Sequence, residues 1–394
     1  MRQLKVLMVH NGYQQRGGED SVVDSEIDML RGHGHEVQVY RRHNDDIHGL
    51  SRARLLAETL WSGRTVDDIT ALAKQFRPDV IHVHNTMPLV SPSVFWAADR
   101  LGMPIVQTLH NFRLVCLDAT FLRDGQVCED CLGKAPWRGV VRRCYRGSAP
   151  QSTVMATMLM AHRAAGTFQH KVTRYIALNE FCKRKLVQGG LPADRISVKP
   201  NFLEWRDAPA PSERRGGLYV GRLSTEKGIA VLLAALRDQP GADVRVVGTG
   251  PFAAETQALL GELALGFRPL PEVLSLMASA AYLVLPSVCY EGFPRTIVEA
   301  YACGLPVIAS RLGSMAELVD DGQTGLLFTP GDPADLAAKL AWAAANPAEM
   351  RRMGQIGRER YEQRFTPDIN HRELLHIYEQ AIAERRETRG SPRG

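Results

Sequence analysis

Short apolar runs alternate with longer amphipathic stretches along nearly the whole chain, the pattern of buried parallel strands joined by helices. In the first half, strands are predicted over 5–10, 36–41, 79–85, 104–111, 174–179 and 196–199, with helical periodicity over 21–30, 93–101 and 181–188 between them. One doubly wound sheet accounts for that series. Between 200 and 217, Pro200, Pro209, Pro211 and charged residues without periodicity mark a linker, after which a second alternating series starts at Leu218. A helix is predicted over 368–386, and the tail over 387–394 is expected to be disordered. The 394 residues exceed the ~250 to 300 at which a single core stops growing, so two domains are expected, over 1–205 and 206–370, with a closing helix and tail over 371–394.

Three strand-to-helix turns of the second half carry candidate chemistry. After the apolar run 282–285 comes Tyr290-Glu291-Gly292-Phe293-Pro294-Arg295-Thr296-Ile297-Val298-Glu299, in which Pro294 suits a first helical position and Gly304 the residue past the helix end. Glu291 then falls in the loop and Glu299 in the helix, near backbone N–H groups that suit a phosphorylated ligand. Two surface glutamates of an amphipathic helix are the plainer reading of that spacing. Upstream, Gly221-Arg222-Leu223-Ser224-Thr225-Glu226-Lys227-Gly228 places two cations in a turn where Gly221 and Gly228 let the backbone approach closely. No Ser or Thr follows the lysine as a P-loop requires. The turn Val247-Gly248-Thr249-Gly250-Pro251 holds two of the three dinucleotide-fingerprint glycines, which a plain tight turn would also explain.

In this order, the Gly-Arg-Leu-Ser-x-x-Lys-Gly turn, the Val-Val-Gly-x-Gly-Pro turn and the Glu-x7-Glu segment resemble the retaining glycosyltransferases of the GT-B fold, family 4. Asn11, Gly12, Gly17 and Gly18 in the first loop, Thr108-Leu109-His110-Asn111 and Val198-Lys199-Pro200-Asn201-Phe202 extend the resemblance over most of the chain. It implies two Rossmann-like domains facing across a cleft, with the last helix crossing back to the first domain. It also implies a nucleoside-diphosphate sugar held chiefly by the second domain and a glycan or lipid-linked acceptor held by the first. Donor-binding roles are implied for Gly17, Gly18, Gly221, Gly250, Phe267, Gly292, Phe293, Pro294 and Glu299, and catalytic roles for Glu291, His110, Arg222 and Lys227. The histidine at this place in the family contacts the transferred sugar or the phosphate. His82 and His84, two apart on a strand, face one side, His82 into the core and His84 as cleft wall.

Leaving-group stabilisation is the expected source of catalysis: as the anomeric bond breaks, charge grows on the diphosphate beside Arg222, Lys227 and helix N-terminal amides. No metal is required for that, and the chain lacks the D-x-D carboxylate triplet of metal-dependent sugar transferases. Retention comes from the resemblance; the residue pattern leaves inversion open. A sugar-nucleotide 2-epimerase of the same fold is the rival reading.

Charge divides unevenly. Residues 1–205 carry 27 Lys and Arg against 20 Asp and Glu, leaving 21 against 23 in the remainder. Arg138, Arg142, Arg143 and Arg146 precede the apolar segment 154–160, and Lys183, Arg184 and Lys185 follow it, a combination suited to an anionic membrane surface or a pyrophosphate-linked lipid. A solvated face beside a core helix would look the same. Aromatic interleaving is too sparse to favour nucleic acid, so a zinc module binding nucleic acid ranks last. With no apolar run of 18 residues and a first strand where a signal peptide would stand, a cytoplasmic protein is expected, working at the inner face of the membrane if its acceptor is a lipid. An insertion over 113–147 carries Cys116, Cys128, Cys131 and Cys144 in a C-x11-C-x2-C-x12-C arrangement. A structural zinc, plain thiols or a redox-labile pair would each fit it.

Overall fold

Each predicted run of the first half becomes a strand. In a computed structural model that describes residues 2–14, 17–205, 213–237, 239 and 241–390, these are β1 (Lys5–Gly12), β2 (Glu36–His43), β3 (Val80–Val83) and β4 (Ile105–Leu109). After a small antiparallel hairpin, β5 (Leu122–Arg123) and β6 (Gln126–Val127), come β7 (Arg174–Ala177) and β8 (Ile196–Val198). The second half supplies β9 (Gly217–Val220), β10 (Val244–Val247), β11 (Ala264–Gly266), β12 (Tyr282–Leu285), β13 (Val307–Ser310) and β14 (Gly325–Phe328).

Two six-stranded parallel sheets result, one ordered β2-β1-β3-β4-β7-β8 and the other β11-β10-β9-β12-β13-β14. Helices cover both faces, which is why β3, β4, β12, β13 and β14 are buried at every position and are mostly apolar, with His82, Gln107, Thr108 and Ser310 the polar exceptions among them. The strand order reverses between β1 and β3 in the first sheet and between β9 and β12 in the second; ligands of open α/β sheets bind beyond the carboxyl ends of such strands.

The chain divides into two compact units: Met1–Ala119, Glu129–Asn201 and Pro367–Gly394 form the first, and Thr120–Cys128 with Phe202–Thr366 the second. The piece 120–128 of the expected insertion thus belongs with the second unit, where Tyr290 N–H donates to Thr120 O and Phe121 meets the Tyr290 ring edge-on. The helix Pro367–Gly390 packs in the first unit on Gly18–Gly32, β3 and β4. It passes the predicted end at 386, so disorder from 387 does not hold; 391–394, and 206–212 of the expected linker, lie outside the described residues.

Candidate active site

The loops at the reversal point of the second sheet converge. After β9, Tyr219 Oη donates to Arg222 O at 2.8 Å and Leu223 N–H to Thr249 O at 2.9 Å, so the Arg222 turn is tied to the Gly248–Gly250 turn. Gly228 has φ +68 and a Cβ there would lie 1.8 Å from Pro286 O; Gly250 has φ +155 and a Cβ would lie 2.4 Å from Leu223 O. Only glycine lets these loops close to that degree.

Lys227 Nζ donates to both Glu291 oxygens, at 2.6 and 2.8 Å, and Ser287 Oγ donates to Glu291 Oε1 at 2.7 Å. Ser314 Oγ donates to the carbonyls of Glu291 and Gly292, at 2.7 and 3.1 Å, holding the loop from beneath. Burial works against a charge on Lys227, but the Glu291 carboxylate outweighs it and raises the lysine pKa. The Arg222 side chain stands exposed, and no described side chain pairs with its guanidinium. Pro294 proves to be the cap, extended at φ -72 and ψ 98, with the helix running Arg295–Ala302. Its proposed place as first helical residue therefore shifts by one. Gly304 does follow the helix end, at φ +62. Glu299 is buried on this helix; burial raises its pKa against the pull of Arg295, 3.9 Å away. Phe293 is buried and Phe267, beyond β11, is 71% exposed.

At the reversal point of the first sheet, Gly17 caps the helix Gly18–Gly32, and the Asp20 carboxylate accepts from Gly17 N–H at 2.9 Å and Tyr13 N–H at 3.3 Å. Asp20 also meets His10 Nε2 at 2.8 Å, a pairing the linear pattern did not reveal. Asn11 is a structural bridge: it donates to Asn44 Oδ1 and accepts from Leu89 and Val90 N–H. His110, partly exposed at the end of β4, lies with Nε2 2.8 Å from His84 Nδ1. His82 is in the core as expected; His84 is 3% exposed and lines, with His110, Glu19 and Arg113, a small cavity. Burial, then neighbouring His82, brings the His84 pKa down to about 3. Burial and then His84 hold His110 well below the ordinary range.

Beneath them is a buried ion pair that no motif had suggested. Glu26 Oε2 accepts from Lys199 Nζ at 3.1 Å, and Lys199 also donates to Asn370 Oδ1 at 2.8 Å. Glu26, His82 and His84 bring ligand atoms within 4.8 Å of one another, yet the lysine ammonium already balances the carboxylate, and His82 is engaged by Tyr378 Oη and Thr108 Oγ1. That set does not suit a cation. Among the cysteines, Cys116, Cys131 and Cys144 belong to the first unit and Cys128 to the second. The apolar segment 154–160 is largely core, with Met155, Met158 and Leu159 buried; exposed apolar surface comes instead from Trp137 (60%), Val141 (71%) and Met160 (49%).

Comparison with known proteins agrees with this architecture. Residues 16–204 match the glycosyltransferase family 4 model and 203–360 the glycosyl transferases group 1 model, so the chain belongs to the group 1, family 4 glycosyltransferases of GT-B fold. It is 27% identical over 330 residues to glycogen synthase of Mycobacterium tuberculosis, spanning 81% of this chain and 70% of that protein. Among solved structures, sucrose-phosphate synthase of Thermosynechococcus elongatus superposes with TM-score 0.71 at 22% identity, over 97% of this chain and 100% of that one. Anabaena HepE in complex with UDP-glucose superposes with TM-score 0.64 at 20% identity, over 98% and 100%. No helix among the described residues is long and apolar enough to cross a membrane.

Proposed function

We propose that this glycosyltransferase moves a sugar from a nucleoside-diphosphate sugar to a glycan or lipid-linked acceptor, with retention and with no metal ion in the chemistry, in cell-surface polysaccharide synthesis. The observation that carries the reading is the Lys227–Glu291 pair at the reversal point of the second sheet. A lone carboxylate there would repel a diphosphate; the lysine offsets its charge, leaving Glu291 able to accept from sugar hydroxyls. Arg222, Lys227 and the amides preceding Arg295–Ala302 supply the positive field against which the leaving diphosphate accumulates charge, the part a divalent ion plays elsewhere. Glu299, buried one turn into that helix, is assigned to the ribose. HepE, a fold relative, is described with UDP-glucose, which supports a nucleotide-sugar donor. Trp137 and Val141 beside Arg138, Arg142, Arg143 and Arg146 support an anionic lipid surface on the acceptor side. Cys116, Cys128, Cys131 and Cys144 are proposed, on their spacing, as ligands of a structural zinc.

A panel of UDP-, GDP- and ADP-sugars tests this by thermal stabilisation, since a donor at 100 times its Kd adds about 2.7 kcal/mol. A stabilising donor should then give transfer with the anomeric configuration kept, as read by NMR of the product. Isomerisation of that donor without any acceptor would replace the reading with the epimerase.

A further inference from the structure

Burying an ammonium and a carboxylate together adds little net stability, so the Glu26–Lys199 pair calls for a use. Its second carboxylate oxygen, the one turned away from Lys199, shows one. Glu26 Oε1 lies 3.1 Å from His82 Nδ1, a nitrogen already 2.7 Å from Tyr378 Oη, and 3.4 Å from His84 Nε2; neither Oε1 nor His84 Nε2 makes a contact of full hydrogen-bond geometry, and both are buried. Burial would raise the Glu26 pKa, but Lys199 and then His82 bring it well below the ordinary value, so Oε1 is an ionised acceptor. A lone pair on His84 Nε2 would face that oxygen unfavourably; a proton there is attracted to it. With its proton on Nε2, neutral His84 offers a lone pair at Nδ1. His110 Nε2, 2.8 Å away, must then be the donor. His110 is left with an unprotonated Nδ1 on the partly exposed side of the ring, where no described residue bonds it.

We propose that Glu26 and His84 are positioning residues that set His110 as the Nε2–H tautomer, so that His110 accepts a hydrogen bond from a sugar hydroxyl and does not bind phosphate. An imidazole with only a lone pair outward repels a phosphate oxygen and suits an O–H. The helix Pro367–Gly390 takes part: Asn370 holds Lys199, and Tyr378 Oη lies 2.7 Å from His82 Nδ1, keeping the ring that packs 4.3 Å from His84 in place. The charged and titratable groups facing His110 are His84, Glu26, His10 and His82, with Glu19 and Arg113 lining the same cavity. The hydroxyl contact rests on the transferase reading; the tautomer does not.

The test is long-range proton–nitrogen NMR of the full chain with labelled histidine, without substrate, the His110 signals being assigned by their loss in His110→Asn. His110 should show protonated Nε2 and unprotonated Nδ1 at neutral pH, and should stay neutral where a free imidazole titrates. His84→Gln, whose amide can donate to Glu26 and accept from His110, should keep that pattern; His84→Ala should lose it. In turnover, His84→Ala should lower kcat by ~10 to 100-fold with donor KM little changed, as when the outer partner of an oriented imidazole is removed, and His84→Gln should restore most of it. If His84→Ala does not fold, the wild-type and His84→Gln spectra still decide. Protonated Nδ1 in the wild type, or an unchanged tautomer in His84→Ala, overturns the relay. Full activity in His110→Ala overturns the hydroxyl contact, and donor stabilisation in the same variant shows separately whether the transferase reading stands.

Discussion

Glu291 and Glu299 share one loop-and-helix segment but not one environment, and substitution should separate them. Glu291 is ion-paired and held by Ser287, in the loop assigned to the reacting sugar, where a hydrogen bond tightens as positive charge develops on the ring. Glu291→Gln is therefore expected to lower kcat more than it raises KM. Glu299, buried in the helix and assigned to a ribose whose charge does not change, should show its loss in Glu299→Ala mainly as a higher donor KM. Donor-saturation kinetics with and without EDTA measure both; activity abolished by the chelator, or a Glu291 variant altered in KM alone, would break the assignment. Arg222→Ala should cost about 3 kcal/mol of transition-state stabilisation, as for one lost preorganised donor, with folding intact. Normal turnover in that variant would remove Arg222 from the site. The two glutamates were legible in the sequence because their spacing straddles a recognisable turn; Ser287 and Ser314 were not, because nothing local says which side chains reach under a loop.

Among the elements, the helix Pro367–Gly390 carries a titratable latch. His371 Nε2 lies 2.9 Å from His35 Nε2, its ring stacks on His33 at 3.8 Å, and His33 Nε2 meets Asp368 Oδ1 at 3.2 Å. Burial first, then His33 and His35, lower the His371 pKa from 6.5 to about 4, against the opposite pull of Asp368. The unfolded chain thus takes up this proton before the folded one, so stability is complete above 6.5 and is lost as pH falls towards about 4. Thermal melts between those pH values should show a steeper loss in the wild type than in His371→Gln; parallel curves would mean the latch does not titrate. The helix itself was readable from its periodicity. Its histidine partners just past the end of Gly18–Gly32 were not, since residues 336 positions apart share no local signal.

For the whole molecule, the insertion buries Leu114, Val115, Leu117 and Phe121, and the zinc proposed for its cysteines is open to a direct test. The purified protein should contain about one equivalent of zinc by elemental analysis, and Cys128→Ser should lower Tm without moving donor KM. Metal-free protein with melting unchanged by a chelator would leave the segment held in some other way. The alternation of apolar runs and helices, the two series and the order of the glycine turns were all present in the linear pattern, because burial on both faces of a parallel strand and a tight turn each impose a local residue choice. The meeting of Lys227 with Glu291, 64 residues on, follows from β9 lying beside β12, and strand order is a property of pairing that no single segment encodes. The same holds for Glu26, His84, Lys199 and Asn370: each is an ordinary polar residue along the chain, and becomes a buried network once β3, β8 and two helices enclose it in a medium where an unpaired charge is costly.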